Sequence, residues 1–113
     1  MKQTTFPWSE LRRDIPRPEG SPINRLIDHI VISGISEFLH AATMHSNLRI
    51  GRSEDFSTED GELQITYDEN LDEVQFCYFD SDREDPWCKA CEGSEIIPTF
   101  THVITKRLRW IKP

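Results

Sequence analysis

The stretch ELQITYDENLDEVQFCYF, residues 62–79, has the pattern of a β-hairpin. Apolar residues alternate with polar ones in both halves of this stretch, at Leu63, Ile65, Tyr67, Val74, Phe76 and Tyr78. The turn-forming residues 68–72 separate the two halves. Because Cys77 and Phe79 make the second strand apolar on both faces, we expect it to be the more central of the two strands.

On the N-terminal side of the hairpin lies the longest apolar stretch of the chain, from Ile23 to about His45. Ser21 followed by Pro22 is typical of a helix start, with the serine as N-cap and the proline in the first turn. Apolar residues cover most of the helical wheel, and the sequence therefore predicts one long central helix packed on more than one side. Gly34 lies in the middle of this helix and marks either close packing or a break.

The C-terminal segment 99–111 fits either a helix or a strand. Its apolar residues group on one side of a helical wheel, whereas its threonines favour a strand. We expect the helix. With a short strand at residues 48–50, the predicted fold is α+β: a long central helix packed on a small antiparallel β-meander, with a C-terminal helix or fourth strand.

The length of 113 residues is typical of one domain. Proline recurs through residues 1–21, at Pro7, Pro16 and Pro18, and it disfavours a helix there. We therefore expect an extended proline-rich arm over residues 1–21 and a single domain over residues 22–113. Phe6 and Trp8 are the residues expected to fasten the arm to this domain.

The net charge of −7 is concentrated in the middle of the chain. Residues 53–85 hold thirteen acidic residues and one arginine, whereas the segments before and after them are weakly basic. Such a field repels nucleic-acid backbones and anionic lipid, so we expect neither direct nucleic-acid binding nor membrane binding. It attracts basic surfaces, although acidic residues also serve merely to keep a surface soluble.

These observations favour a small, acidic, non-enzymatic protein-binding module that uses its 54–85 surface against a basic partner. An inhibitor, an immunity-type protein, an adaptor and a chaperone-like protein all fit that description. The residues expected to bind the partner are Asp68, Glu69, Asp72, Glu73, Asp80, Asp82, Glu84 and Asp85. The oligomeric state stays open, and a homodimer through the second hairpin strand is compatible with its two apolar faces.

Trp87-Cys88-Lys89-Ala90-Cys91 is the local pattern with the clearest chemistry. Cysteines three apart can close a small disulfide, and a helix start lowers the pKa of the first thiol. This pentapeptide resembles the active-site turn of the thioredoxin superfamily, and Ile97-Pro98-Thr99 is similar to that family's cis-proline segment. The resemblance implies a thiol–disulfide redox protein in which Cys88 attacks and Cys91 resolves the mixed disulfide.

The same cysteines also permit a metal-site interpretation. Cys77, Cys88, Cys91 and His102 have the ligand types of a tetrahedral Cys3His zinc site, which would make the protein a zinc-stabilised structural module. The default expectation is ordinary reduced cysteines and no cofactor. Three cysteines is an odd number, and no secretion signal is recognisable, so we expect a cytoplasmic protein.

Overall fold

In a computed structural model, five strands form one antiparallel sheet, and each strand pairs with the next along the chain. Trp8 and residues 21–44, 47–54, 56, 61–82 and 85–111 are described. The strands are β1 (His40–Met44), β2 (Asn47–Gly51), β3 (Glu62–Asp68), β4 (Glu73–Phe79) and β5 (Trp87–Glu92). The helices are α1 (Pro22–Ile32) and α2 (Ile96–His102), and α2 continues into a π-helical turn (Val103–Arg107).

The predicted long central helix is wrong, and the predicted architecture fails with it. The helix start is confirmed, because the Ser21 side chain accepts a hydrogen bond from the Asn24 amide at 3.2 Å. The helix ends at Ile32, however, and Gly34 adopts a φ of 84°. This left-handed conformation closes a helix and is readily adopted by glycine. After a 3₁₀ turn at Ile35–Glu37, the chain forms an edge strand of the sheet instead of further helix.

The predicted hairpin is present as β3 and β4, with Ile65 opposite Phe76. The carboxylate of Asp68 accepts hydrogen bonds from the Asn70 and Leu71 amides and so shapes the turn. β4 also pairs with β5 on its other side, but β3 is the middle strand of the five. The prediction that the second hairpin strand is the more central of the two is therefore wrong. The C-terminal segment is helical rather than a fourth strand.

The core lies between the inner face of the sheet and the two helices. Phe76 of β4 and Phe100 of α2 are fully buried there, with Leu26 and Ile30 of α1. Other apolar residues counted toward the long helix lie outside the core: Ile32 is 85% exposed and Phe38 is 64% exposed. Among the described residues, no helix is long and apolar enough to cross a membrane.

Most of the predicted arm lies outside the described residues, and so does Phe6. Trp8 is described, and its indole nitrogen donates a hydrogen bond to the Leu39 carbonyl at 3.0 Å. The ring also packs against the core. Trp8 itself is therefore attached to the domain, as expected.

The outer face of the sheet contains a buried ion pair between neighbouring strands. The guanidinium of Arg49 (β2) contacts both carboxylate oxygens of Glu62 (β3) at 2.6 Å, and both residues are buried. Gln64 donates a further hydrogen bond to Glu62 at 3.0 Å. This two-pronged geometry is the strongest way to pair arginine with a carboxylate. It satisfies charges that would otherwise be costly to bury.

The Phe56 side chain covers the end of β2 on the same outer face. Phe56 is buried, and a Cβ atom at Gly51 would overlap its ring. We expect Gly51→Ala to lower the free energy of unfolding by about 1–3 kcal/mol, because the phenyl ring must move. Urea unfolding measures this loss. In a Phe56→Ala background the same substitution should cost almost nothing, and an equal cost in both backgrounds would refute the proposed overlap.

Candidate functional site

The predicted acidic surface is divided between opposite ends of the sheet. Asp68, Glu69, Asp72 and Glu73 lie together at the turn that joins β3 and β4. Asp80, Asp82 and Asp85 follow β4 and lie at the other end of that strand. Glu84 lies outside the described residues. Residues 74–79 of β4 separate the two groups, which is roughly 20 Å of extended chain.

Three carboxylates at the turn end form a row across three neighbouring strands. Asp68 of β3 is directly opposite Glu73 of β4, and Glu73 is directly opposite Glu92 of β5. We call these three residues the acidic row. None of them is in an ion pair with a residue that the structure describes. Like charges directly opposite each other destabilise a sheet, so the row costs stability that the rest of the fold must supply.

Hydrogen bonds connect the turn beside the acidic row to the rest of the domain. Asp72 has a φ of 49°, and its carboxylate accepts a hydrogen bond from the Tyr67 hydroxyl at 2.8 Å. Its carbonyl accepts from the Gly93 amide at 3.3 Å. The Gly93 carbonyl in turn accepts from Arg25 of α1 at 3.2 Å. The hydrogen bond to Asp72 raises the pKa of Tyr67, with burial adding to the shift, so the donor stays protonated into alkaline solution.

An apolar side chain projects from the tip of this turn. Leu71 is 70% exposed, although leucine is ordinarily a core residue. Two shallow depressions lie on either side of Glu73: one is lined by Tyr67, Asp68 and Glu69 among others, and the other by Leu71, Asp72 and Glu92 among others. The turn end thus combines negative charge, an exposed apolar group and a fixed backbone. These are general features of a protein-binding surface.

The cysteine motif lies in a strand, not at the helix start that its thioredoxin-like interpretation requires. In β5, Cys88 and Cys91 are an odd number of positions apart and therefore face opposite sides of the sheet. Cys88 forms a disulfide with Cys77, its direct partner on β4. Pro98 lies within α2, and no cis peptide bond occurs among the described residues. The structure therefore does not bring Cys88 and Cys91 together.

The four residues predicted as zinc ligands are also distributed over different surfaces. Cys77 and Cys88 are joined on the outer face, and Cys91 lies on the inner face. His102 is exposed at the end of α2. Within the described part of the chain, no group of three or more histidine, cysteine or acidic side chains is arranged to hold a metal ion.

Cys91 is a half-buried free thiol. Burial raises its pKa, and a hydrogen bond with Thr99 partly offsets the shift. A thiol with a raised pKa is mostly protonated near neutral pH and is a poor nucleophile.

Sequence reasoning missed Glu92, because the segment after residue 86 is basic overall. A signal for it was present: a strand ending at Glu92 and paired with β4 would place this carboxylate beside the acidic end of the hairpin. Arg49 and Glu62 were likewise missed, since nothing in the local pattern distinguishes them from surface charges.

Comparison with protein-family models, with curated proteins and with solved structures finds no match to this chain.

Proposed function

We propose that this protein is a non-enzymatic binding module whose turn end, formed by the acidic row with Glu69, Leu71 and Asp72, docks a basic protein partner. The observation that carries the proposal is the direct opposition of Asp68, Glu73 and Glu92 on adjacent strands. A cationic partner would relieve this repulsion, so binding regains free energy that the free sheet has lost.

The local geometry supports the same proposal. Leu71 offers an apolar contact inside a charged rim, which is the usual arrangement of a binding surface. The hydrogen bonds of Asp72 hold the turn before a partner arrives, so little conformational entropy is lost on binding. The acidic residues at the far end of β4 act only through long-range attraction in this proposal. We place the module in the cytoplasm and assign it no cofactor.

Charge reversal at the turn end tests the proposal. The variant is Glu69→Lys/Glu73→Lys/Glu92→Lys, which leaves the turn-shaping carboxylates of Asp68 and Asp72 in place. The probe is a lysine-rich model peptide with leucine spaced among the lysines, and binding is followed by fluorescence anisotropy. We expect the affinity to fall by about tenfold or more, mainly through a slower association rate. Raising the salt concentration should weaken binding to the unaltered protein.

A matched variant separates a defined surface from net charge. Glu54→Lys/Asp82→Lys/Asp85→Lys changes the net charge by the same amount, from −7 to −1, away from the acidic row. The proposal requires this variant to keep most of its affinity for the peptide. Equal losses in both variants would show attraction by net charge alone and would overturn the assigned surface. Circular dichroism checks that each variant is folded.

A further inference from the structure

The disulfide between Cys77 and Cys88 ties the edge strand to the rest of the sheet. The two residues are directly opposite each other on β4 and β5, and their Cα atoms are 4.1 Å apart. Among the described residues, β5 has a neighbouring strand on one side only. The bond therefore links the last strand of the sheet to the strand before it, on the outer face.

The two cysteines of this bond differ in their exposure to solvent. Cys88 is exposed, whereas Cys77 is half-buried and lies between Gln64 and Cys88 across the sheet. Thiol–disulfide exchange begins when a thiolate reaches one sulfur in line with the bond, and access decides which sulfur is attacked. Because Cys88 is the more exposed residue and lies on the last strand, we expect an incoming thiol to attack its sulfur first.

We propose that the Cys77–Cys88 disulfide is a thiol–disulfide exchange site, at which a dithiol reductant attacks Cys88. Reduction of this bond thereby controls how firmly β5 is attached to β4. A thiolate of the dithiol bonds to the Cys88 sulfur, the Cys77–Cys88 bond breaks, and Cys77 leaves as a thiolate that takes a proton from water. The second thiol of the dithiol, as its thiolate, then attacks the mixed disulfide and releases Cys88. Two electrons pass to the protein, and the dithiol ends as a disulfide.

The third cysteine does not interfere with this exchange. Cys91 faces the inner side of the sheet, so its thiol reaches Cys88 only if β5 turns over. Its half-buried, hydrogen-bonded thiol is also a poor competitor for the bond. The exchange accordingly has one protein product, with thiols at Cys77 and Cys88, instead of a mixture of rearranged disulfides.

When the Cys77–Cys88 disulfide is reduced, other contacts still hold β5. The Trp87 ring contacts the Arg107 guanidinium at 4.8 Å, and the Gly93 amide bonds to Asp72. These contacts keep β5 in place on average, whereas no further strand in the described part of the chain pairs with its other edge. Reduction should therefore increase local opening of β5 without unfolding the domain. Glu92 lies on the same strand, so the opening also reaches the acidic row.

Mass spectrometry and amide hydrogen exchange test the proposal without any binding partner. The full chain is equilibrated with oxidised glutathione, placed in millimolar dithiothreitol without denaturant, and treated with iodoacetamide. We expect two new alkyl groups, at Cys77 and Cys88, while Cys91 is labelled more slowly. Amide exchange in β5 should rise about tenfold or more on reduction, while that in β3 stays unchanged.

Variants make each outcome decisive. Cys91→Ser should show the same reduction and the same change in β5 exchange. Cys77→Ser/Cys88→Ser should show the fast β5 exchange both with and without dithiothreitol. A bond that resists dithiothreitol until denaturant is added, a Cys88–Cys91 pairing, or β5 exchange that does not respond to reduction would each overturn the proposal. None of these readouts depends on the proposed binding function.

Discussion

Replacing Glu62 by glutamine is expected to lower the free energy of unfolding by about 3–5 kcal/mol, the usual cost of leaving one charge of a buried pair without its partner. The Glu62 carboxylate is fully buried, and both of its oxygens contact the Arg49 guanidinium. The neutral amide keeps the shape of the side chain and removes its charge, so the arginine stays buried without compensation. Urea unfolding followed by tryptophan fluorescence at neutral pH measures the loss.

Glu73→Gln is the matched control on the same face of the sheet. Glu73 is opposite two other carboxylates, so removing its charge should leave stability unchanged or raise it by about 0.5 kcal/mol. The double variant Arg49→Met/Glu62→Met should recover most of the loss, because no uncompensated charge remains. Equal effects of Glu62→Gln and Glu73→Gln would contradict the buried ion pair.

Truncation of Phe76 to alanine is expected to destabilise the protein by about 3–5 kcal/mol. Phe76 is fully buried on the inner face of β4, where it lies between Ile65 and Lys89 of the neighbouring strands. The substitution removes apolar contacts and also leaves a cavity. Because β4 lies between two other strands, it cannot move to close that cavity.

Phe38→Ala provides the comparison, with the same chemical change at a site that is 64% exposed. We expect it to alter stability by no more than about 0.5 kcal/mol. Urea denaturation midpoints of the two variants measure the difference. If both substitutions cost the same, the inner face of β4 does not lie at the centre of the core.

Local patterns predicted the elements whose partners are close in sequence. The Ser21 N-cap satisfies an amide three residues away, and the β3–β4 turn is shaped by the carboxylate of Asp68 acting on the next residues. Alternation between Leu63 and Tyr78 fixes which side chains of the hairpin face inward, because a shift of one residue would expose them. No distant contact is needed to make these assignments.

The wrong prediction of a long helix also has a physical cause. The apolar positions after Gly34 fit a helical wheel, but an unbroken helix would place Ala41 on α1 instead of opposite Ile50 on β2. The strand pairing buries Ala41 completely. Glycine at residue 34 makes the change of direction inexpensive, so pairing with β2 prevails over further helix.

The chain by itself determined the hairpin, the start of α1 and the excess of acidic residues, because each depends on neighbours in sequence or on composition. Tertiary structure decided the rest. Pairing of β5 with β4 turned the cysteine motif into a strand, joined Cys88 to Cys77 and aligned Glu92 with Glu73. Only the register between distant segments specifies which side chains meet, and that register is set by burying the inner face of the whole sheet at once.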